Sequence, residues 1–306
     1  MKLVVNPVGG IANRMRALTS AVSLAKDMDE ALKDGNESIK GADGMPGKVE
    51  LEVVWLKNWE LYAAFEEIFA VPEMLEGKIV YPSAISYELL YSPPRRRNLY
   101  ISAATLRRFG FRMVSESPFS ATLLAQSESD KELLARMKDC VRKGKNAFIQ
   151  GGVDLYTYSP ALYRSLFKPV DDIAQRVGNT TAVMGEVRYG IHIRRTDNAE
   201  SRRQSPDELF EKAIREILDK EGDARFYLAT DDEDVKVKFR TIFGNRMVTS
   251  PAKASRNTVE GIRDAATEMF VLSRTKLILG SYYSSFSEAA SIIGDVPLKV
   301  IKKEMP

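Results

Sequence analysis

The alternation of apolar and polar positions predicts that strands and helices follow one another along the chain. Residues 3–5 form a strand-like run, and a glycine turn leads from it into a helix over about residues 13–32. In that helix Met15, Leu18 and Val22 recur at spacings of three and four, which indicates one apolar face. The same criteria predict further strands at 49–56, 78–81 and 147–151 and further helices at 58–70, 129–143 and 169–177. This order favours a Rossmann-like first half.

The second half of the chain alternates more clearly. Strands are predicted at 188–194, 225–229, 247–249, 276–280 and 298–301, and helices are predicted between them. The first of these helices, at about 205–220, has Ser205 as a candidate N-cap, Pro206 at the first helical position and Glu208 at the capping-box spacing. Repeated strands and helices predict an α/β fold, with a parallel sheet that carries helices on both faces.

Length and one polar stretch predict two domains. With 306 residues the chain is long for a single core and suits two. A glycine, an asparagine and a threonine at 178–180 follow the predicted helix at 169–177, and we place the boundary there. The predicted domains are therefore 1–178 and 179–306.

Composition narrows the classes of function. Hydrophobic residues make up 44% of the chain and charged residues 28%, which is typical of a soluble globular protein. The net charge of +3 argues against nucleic acid as a partner. One cysteine, Cys140, and one histidine, His192, exclude an internal disulfide and metal sites built from these residues. No apolar run is long enough to cross a bilayer, and residues 1–7 indicate a buried strand instead of a signal peptide, so we expect a cytoplasmic setting.

The stretch Tyr189 to Asn198 combines a strand with a charged turn. Ile191 and Ile193 alternate with His192 and Arg194, and Arg195 follows directly. Two adjacent arginines are costly to hold together unless an anion neutralises them. Three interpretations are open. Both guanidinium groups turn toward one phosphate, or one of the two arginines is structural. The third interpretation is a solvated strand end with a local ion pair.

Polar side chains follow several predicted strands of the second half. In an open parallel sheet, ligands bind outside the carboxyl ends of the strands. The residues at those ends are Arg194, Arg195 and Asp197, then Asp231 and Asp232, then Ser281, Ser284 and Ser285. Arginines, hydroxyls and backbone N–H groups can together clamp a diphosphate, although the serines also suit helix capping. The two aspartates would repel a diphosphate, so we expect them to hold the arginines, a hydroxyl or a strained turn.

The first strand is followed by a second candidate anion site. Gly9, Gly10, Asn13 and Arg14 lie between that strand and the first helix, where free backbone N–H groups can bind an anion. The loop lacks the lysine and hydroxyl pair of a Walker A motif and the third glycine of a dinucleotide fingerprint. A tight turn that packs the helix on the strand is the structural alternative for the glycines.

Two polar segments of the first half lie outside the predicted strands and helices. Residues 34–48 are rich in Gly, Asn, Ser and Asp and indicate an excursion over a cleft. Residues 93–97, Pro-Pro-Arg-Arg-Arg, form a basic turn. That turn is either a solvated loop or a contact for an anionic acceptor or for a peripheral membrane surface.

Four motifs resemble those of a known family. His-x-Arg-Arg-Thr-Asp at 192–197 resembles the first motif of the α1,6-fucosyltransferases, which include the rhizobial nodulation enzymes, and of the related protein O-fucosyltransferases. Phe-Tyr-Leu-Ala-Thr-Asp-Asp at 226–232 resembles their second motif, and Leu-Ser at 272–273 followed by Ser-Ser-Phe at 284–286 resembles the third. Residues 9–14 are similar to the glycine loop of these enzymes.

The resemblance implies a GT-B-like fold of two facing Rossmann-like domains, with the acceptor on the N-terminal side and the donor on the C-terminal side. It implies inverting transfer of fucose from GDP-fucose to a carbohydrate or other hydroxyl acceptor, with no metal ion and no cofactor. Arg194 would bind the β-phosphate, Arg195 and Asp197 would hold the geometry, and His192 would lie along the nucleotide. The remaining donor contacts implied are Gly10, Asn13, Arg14, Asp231, Asp232, Glu268, Ser284, Ser285 and Phe286.

The chain departs from the family at two places. Glu268 stands where these enzymes have an aspartate that hydrogen-bonds guanine. The alternative interpretation is that Glu268 is an ordinary glutamate on the face of a helix. Asn198 stands where a lysine follows the motif, and Glu200 is the nearest carboxylate that could act as a general base. Two other functions are compatible with the motifs: an enzyme of the same fold that uses another nucleotide-sugar donor, and a non-catalytic module that binds a nucleotide or glycan. A kinase is disfavoured because the sequence has no P-loop.

Overall fold

The computed structural model describes residues 2–33, 48–83, 130–142, 146–185, 188–196 and 199–303. Asp197, Asn198, the basic turn at 93–97 and all but the last residue of the predicted excursion at 34–48 lie outside this part of the chain. No helix in the described ranges is long and apolar enough to cross a membrane.

Strands alternate with helices in the second half of the chain, as the sequence predicts. The strands of the described residues are β1 (Lys2–Pro7), β2 (Glu50–Val54), β3 (Phe69–Ala70), β4 (Ile79–Val80), β5 (Ala147–Gly151), β6 (Lys168–Pro169), β7 (Arg188–Ile193), β8 (Arg225–Thr230), β9 (Met247–Thr249), β10 (Ile278–Ser281) and β11 (Leu298–Ile301). The helices are α1 (Ile11–Lys33), α2 (Asp130–Arg142), α3 (Pro160–Leu166), α4 (Asp171–Met184), α5 (Ala199–Gln204), α6 (Asp207–Leu218), α7 (Glu233–Phe243), α8 (Val259–Leu272) and α9 (Ser285–Gly294). The chain divides into two compact units.

The first unit, formed by residues 1–57 and 71–162, contains a parallel sheet in the order β4-β2-β1-β5. Leu3, Val4 and Val5 are fully buried, as expected for a central strand of a parallel sheet that is covered on both faces. The apolar face predicted for α1 is also buried, because Met15 and Leu18 have no exposed surface.

The second unit, formed by residues 58–70 and 163–306, contains a parallel sheet in the order β11-β10-β7-β8-β9. β7 is the central strand, and its hydrogen-bonded neighbours are β8 and β10. Its carboxyl end, at Ile193, therefore lies beside the carboxyl ends of the two strands that carry the other candidate polar residues. Phe210, Phe226 and Phe239 form part of the buried core around this sheet.

The helix predicted at 58–70 is wrong. Residues 65–67 form a single 3-10 turn and Phe69–Ala70 is a strand that pairs with Lys168–Pro169. The Asn58 side chain accepts hydrogen bonds from the backbone N–H groups of Glu60 and Leu61 at 3.1 and 3.3 Å, a local turn that competes with a helix. Tertiary packing overrides the periodic pattern here, because the rings of Phe65 and Phe69 lie 5.2 Å apart and both contact Phe167.

The helix predicted at 169–177 extends further than its pattern suggested. α4 runs from Asp171 to Met184 and ends at Gly185, whose φ of 71° is the left-handed conformation that favours glycine. The boundary predicted between residues 178 and 179 lies inside this helix, and the last change from the first compact unit to the second lies between residues 162 and 163.

The N-cap predicted at Ser205 is wrong. The helix begins at Asp207, and the cap position, Pro206, makes no side-chain cap bond. The buried Ser205 hydroxyl instead donates to the carbonyl of Ile301 and accepts from the backbone N–H of Tyr282 at 2.8 Å. The serine therefore joins the segments that follow β7 and β10 instead of satisfying its own helix.

Helix ends pack closely at the junction of α8 and α9. A Cβ atom at Gly294 would overlap the carbonyl oxygen of Ser273, so we expect Gly294→Ala to displace α9 and to lower the free energy of unfolding by at least about 1–3 kcal/mol. Chemical denaturation measures this change. Gly178→Ala is the matched control, because that position lies within α4 with open space around it and should gain up to about 1 kcal/mol of helix stability. Equal effects of the two substitutions would contradict the packing described.

Candidate functional site

A pocket of about 450 Å³ lies in the second unit at the carboxyl ends of β7, β8 and β9. Its wall includes residues from the ends of all three strands and from the helices α7, α8 and α9. The lining residues are Trp59, His192, Arg194, Thr196, Thr230, Asp231, Lys236, Ser250, Ala252 to Asn257, Gly261, Asp264, Ala265, Glu268 and Phe286. Strand ends of a parallel sheet therefore meet around a cavity of the size that small-molecule sites have, as the sequence predicts.

The imidazole of His192 forms part of the pocket wall. His192 is buried, its Nδ1 lies 3.2 Å from the hydroxyl of Ser284, and its ring contacts the ring of Phe286 at a tilt of 32°, with centroids 4.8 Å apart. Burial, and after it the guanidinium group of Arg194, lower the pKa of His192 to about 3. A neutral imidazole at physiological pH follows, so His192 adds no positive charge to the pocket.

The two adjacent arginines have different environments. The Arg194 guanidinium lines the pocket, and its Nε lies 3.2 Å from the Asp231 carboxylate. The Arg195 guanidinium is not among the groups lining this pocket; it binds the Asp207 carboxylate and donates to the carbonyl of Ser205 at 2.9 Å. Of the two alternatives left by the sequence, the structure favours one arginine at the pocket and one structural arginine.

Asp231 and Asp232 act on the protein backbone, as their charge predicts. Asp231 accepts from the backbone N–H of Arg195 at 2.8 Å and from the hydroxyl of Thr196 at 2.7 Å. Asp232 is the N-cap of α7 and accepts from the backbone N–H groups of Asp234 and Val235. Asp231 also lines the pocket, so it both orders the turn after β7 and faces the cavity.

The serines near α9 fill three different roles. The Ser281 hydroxyl accepts from the backbone N–H of Arg194 at 3.0 Å and lies 3.2 Å from the carbonyl of His192, so it joins β10 to the end of β7. Ser284 occupies the N-cap position without a side-chain cap bond, because its hydroxyl faces His192. Ser285 is the first residue of α9. Neither Ser284 nor Ser285 is among the residues lining the pocket described above, and their predicted contact with a diphosphate stays a prediction.

Glu268 supplies a carboxyl group to the pocket wall from α8. The pKa of Glu268 is raised to about 8: burial is the main cause, the ammonium group of Lys236 opposes the shift, and the carboxylate of Asp264 contributes to it. Lys236 is itself held by Glu233 at 2.8 Å and by the carbonyl of Ala252 at 2.6 Å. The pocket therefore holds an acid with a strongly perturbed pKa, which is a frequent property of functional sites.

Several pocket residues were not singled out from the sequence. They are Trp59, Lys236, Lys253, Arg256, Asn257 and Asp264. The segment 250–257 follows the carboxyl end of β9, so the strand-end rule applied to β9 would have identified it. This segment packs directly on α8, because a Cβ atom at Gly261 would overlap the carbonyl oxygen of Ser255.

The candidate general base Glu200 is already paired. Its carboxylate accepts from Arg203 at 2.6 and 3.0 Å and from Gln204 at 3.1 Å. The hydrogen bond from Arg203 lowers the pKa of Glu200, and the Gln204 bond adds to this effect. Glu200 is also absent from the residues lining the pocket described above, so its role as a base stays a prediction.

The glycine loop of the first unit is ordered by Arg14. This arginine is fully buried, donates to the carbonyls of Gly9 at 2.9 Å and Leu56 at 2.6 Å, and lies over the ring of Trp55. Gly9 has a φ of 85°, and a Cβ atom there would lie 2.9 Å from the Asn13 side chain. These contacts agree with the tight-turn interpretation of the loop, and the predicted part of Gly10, Asn13 and Arg14 in donor binding stays a prediction.

Comparisons with solved structures agree with the resemblance stated from the motifs. A structure of the NodZ alpha-1,6-fucosyltransferase soaked with GDP-fucose is 15% identical, covers 97% of this chain and 93% of that chain, and has a TM-score of 0.54. POFUT1 in complex with GDP is 12% identical, covers 98% of both chains and has a TM-score of 0.57. NodZ from Bradyrhizobium is 16% identical, covers 97% of this chain and 94% of that chain, and has a TM-score of 0.53.

These similarities confirm the predicted α/β, GT-B-like fold class and extend the resemblance over nearly the whole chain. Neither family models nor curated protein sequences gave a match. Among the described residues there is no group of three or more His, Cys, Asp or Glu side chains that could hold a metal ion.

The raised pKa of Glu268 makes folding stability depend on pH. The folded state holds the proton of Glu268 more tightly than the unfolded chain does, which stabilises the fold fully at a pH below the ordinary pKa of a glutamate. This contribution to the free energy of unfolding is lost as the pH rises to about 8. We therefore expect Glu268→Gln and the wild type to have similar free energies of unfolding at pH 5, and the variant to be about 1–3 kcal/mol more stable at pH 8.5. Denaturation at both pH values measures this difference.

Glu208→Gln is the control for that measurement, because Glu208 is an exposed glutamate on α6. It should change the free energy of unfolding by the same amount at pH 5 and pH 8.5. If Glu268→Gln also changed the free energy of unfolding by the same amount at both pH values, the raised pKa of Glu268 would be contradicted.

Proposed function

We propose that this protein is a glycosyltransferase that transfers fucose from GDP-fucose to a hydroxyl group of a carbohydrate acceptor. The observation that carries the proposal is the pocket in the second unit, which combines the guanidinium group of Arg194 with the carboxyl group of Glu268. These groups can recognise the two ends of a guanine nucleotide, the diphosphate and the base. Both the motif order and the fold of nucleotide-sugar fucosyltransferases support this interpretation.

Arg194 is the residue that we expect to stabilise the leaving group. Fucosyl transfer breaks the bond between the sugar and the β-phosphate, so negative charge develops on the departing GDP. A guanidinium group that is already oriented, as Arg194 is by Asp231, stabilises that charge without further reorganisation. The proposal includes metal-independent, inverting transfer, with arginine in the place that a cation has in other transferases.

Glu268 is the residue that we expect to select guanine. A carboxylate can accept from the ring N–H and the amino group of guanine together, a donor pair that adenine and uracil lack. The ammonium group of Lys236 favours the ionised carboxylate, whereas burial favours the neutral acid. Binding of the two guanine donors would therefore draw the carboxyl toward its ionised form.

The proposal also includes an acceptor and a general base. Acceptor sites are built from loops that differ between enzymes of one fold. We propose a carbohydrate acceptor in a cytoplasmic setting, with a nucleotide sugar as the second partner. Among residues near the motif, Glu200 is the candidate base, and acceptor binding would have to release it from Arg203.

A second candidate function is a non-catalytic module that binds a nucleotide or glycan. Two observations favour it. Asn198 stands in the place of the motif lysine, and the Glu200 carboxylate is occupied by Arg203 and Gln204. Release of free fucose from GDP-fucose in the absence of acceptor separates the two functions, because a binding module releases none.

Arg194→Ala tests the proposed phosphate contact. We expect GDP to bind roughly 10- to 100-fold more weakly to this variant, because a charge-assisted hydrogen bond to the diphosphate is lost. Calorimetric titration with GDP, UDP and ADP measures the affinities. Arg202→Ala is the control, because that exposed arginine lies eight positions away and is not among the residues lining the pocket. Wild-type protein that binds the three nucleotides equally would contradict the assignment of guanine.

The pKa of Glu268 also predicts how GDP affinity changes with pH. If the ionised carboxylate reads guanine, the neutral acid must lose a proton on binding, so affinity should rise from pH 7 to pH 8.5 by up to about tenfold per pH unit below the pKa. Titrations in buffers of different ionisation enthalpy measure the proton release directly. Glu268→Gln should bind GDP weakly and with no such pH dependence, and a wild type with flat affinity and no proton release would contradict this role.

A further inference from the structure

Trp59 is a large aromatic side chain that the second unit exposes at the wall of the pocket. Its relative exposure is 74%, and it is one of only two tryptophans in the chain. Single exposed apolar side chains are common on protein surfaces and need no special role. Trp59 differs from that case because its backbone is fixed and because it lines the same cavity as Arg194 and Glu268.

The backbone that carries Trp59 is a rigid turn. Asn58 and Leu61 exchange backbone hydrogen bonds in both directions, at 3.2 and 3.0 Å, so that Trp59 and Glu60 form the tip. The Asn58 side chain closes the turn from inside through the N–H of Glu60, and the Leu61 side chain is fully buried. The position of Trp59 is therefore set by the fold and not by contacts of its own ring.

A further hydrogen bond joins this turn to the pocket wall. The backbone N–H of Tyr62 donates to the carbonyl of Arg256 at 3.1 Å, and Arg256 belongs to the wall segment 250–257. The turn and the wall segment thus hold a fixed relation to each other. Any ligand in the pocket meets Trp59 in a prepared position, which lowers the entropy lost on binding.

The aromatic rings of the pocket are not equivalent. Phe286 already contacts the ring of His192, with centroids 4.8 Å apart. Among the described residues, no ring contact and no cation–π contact involves Trp59. Nucleobase sites combine an exposed aromatic ring with a group that hydrogen-bonds the edge of the base, since stacking holds the flat face and hydrogen bonds identify the edge. The indole of Trp59 and the carboxyl group of Glu268 provide this combination in one cavity.

We propose that Trp59 stacks on the nucleobase of the bound nucleotide and is therefore a substrate-binding residue of this chain. The inference rests on the proposed function, because it assumes that the pocket takes a guanine nucleotide. It assigns a position outside every motif that resembles the fucosyltransferases. Stacking contributes binding energy for any base, so Trp59 supplies affinity while Glu268 supplies the choice of guanine.

Tryptophan fluorescence tests this proposal directly. GDP should quench the emission of the wild type, and Trp59→Phe should remove most of that quenching. The other tryptophan, Trp55, is fully buried in the first unit beside Arg14, so Trp55→Phe should leave the quenching in place. Both variants are first compared with the wild type by thermal unfolding, and exposed Trp59 should tolerate substitution.

Calorimetric affinities separate stacking from other effects. We expect Trp59→Ala to bind GDP roughly 5- to 100-fold more weakly, Trp59→Leu to remain weak, and Trp59→Phe to recover most of the affinity. Inorganic pyrophosphate, which has no base, should bind to the wild type and to Trp59→Ala equally. Tyr62→Ala, which removes an exposed aromatic side chain from the same segment, is the matched control and should leave GDP affinity within about twofold of the wild type.

The outcomes distinguish the inference from the proposed function. If the wild type binds GDP and Trp59→Ala binds it equally well, the stacking proposal is overturned and the proposed function stands. An equal loss of GDP and pyrophosphate affinity in Trp59→Ala also overturns stacking, because the effect is then not at the base. A wild type that binds no GDP overturns both.

Discussion

The carboxylate of Asp231 holds three consecutive residues at the end of β7. It accepts from the backbone of Arg195 and from the hydroxyl of Thr196, and it pairs with the Nε of Arg194. A parallel sheet brings β8, which carries Asp231, beside β7, so the contact is a direct consequence of strand order. Breaking a partly buried charge network of this kind costs on the order of 3–5 kcal/mol, which makes it a strong constraint on the turn. The position of Arg194 in the pocket depends on it.

The same strand order explains why the guanidinium group of Arg194 lies beside a neutral ring. Ser281 on β10 binds the backbone on the opposite side of β7, and Ser284 and Phe286 enclose the imidazole of His192. Burial in this enclosure keeps His192 uncharged, so the imidazole adds no positive charge beside Arg194 at the sheet end. An anion there would meet the oriented guanidinium group of Arg194 beside a neutral ring, while Lys236, Lys253 and Arg256 are the other cationic side chains of the pocket wall.

Sequence reasoning was most successful where local pattern and tertiary structure agree. The strands β7 to β11 follow the predicted order, because the apolar residues of β7, β8 and β10 are buried where the periodicity says they should be. The strand-end rule brought Arg194 and Asp231 to one pocket. The pattern could not assign Arg195, since only the position of Asp207 decides which way its guanidinium turns. It also misjudged Ser205, whose partner Ile301 is distant in sequence, and it gave no sign that Arg14 binds the carbonyl of Leu56. Such long-range hydrogen bonds leave no local signal.

The wrong prediction at 58–70 is the most informative failure. Its apolar residues fit a helical period, yet Leu61 and Phe65 are buried by packing within the second unit, and the Asn58 side chain stabilises a turn instead. A helix there would place Trp59 on a regular face, whereas the turn projects it to the pocket wall. Local preference and global fold tend to disagree at functional positions, because a binding site needs a side chain where no core requires it. The conflict between periodicity and structure at this segment is thus itself an argument that the turn serves a ligand.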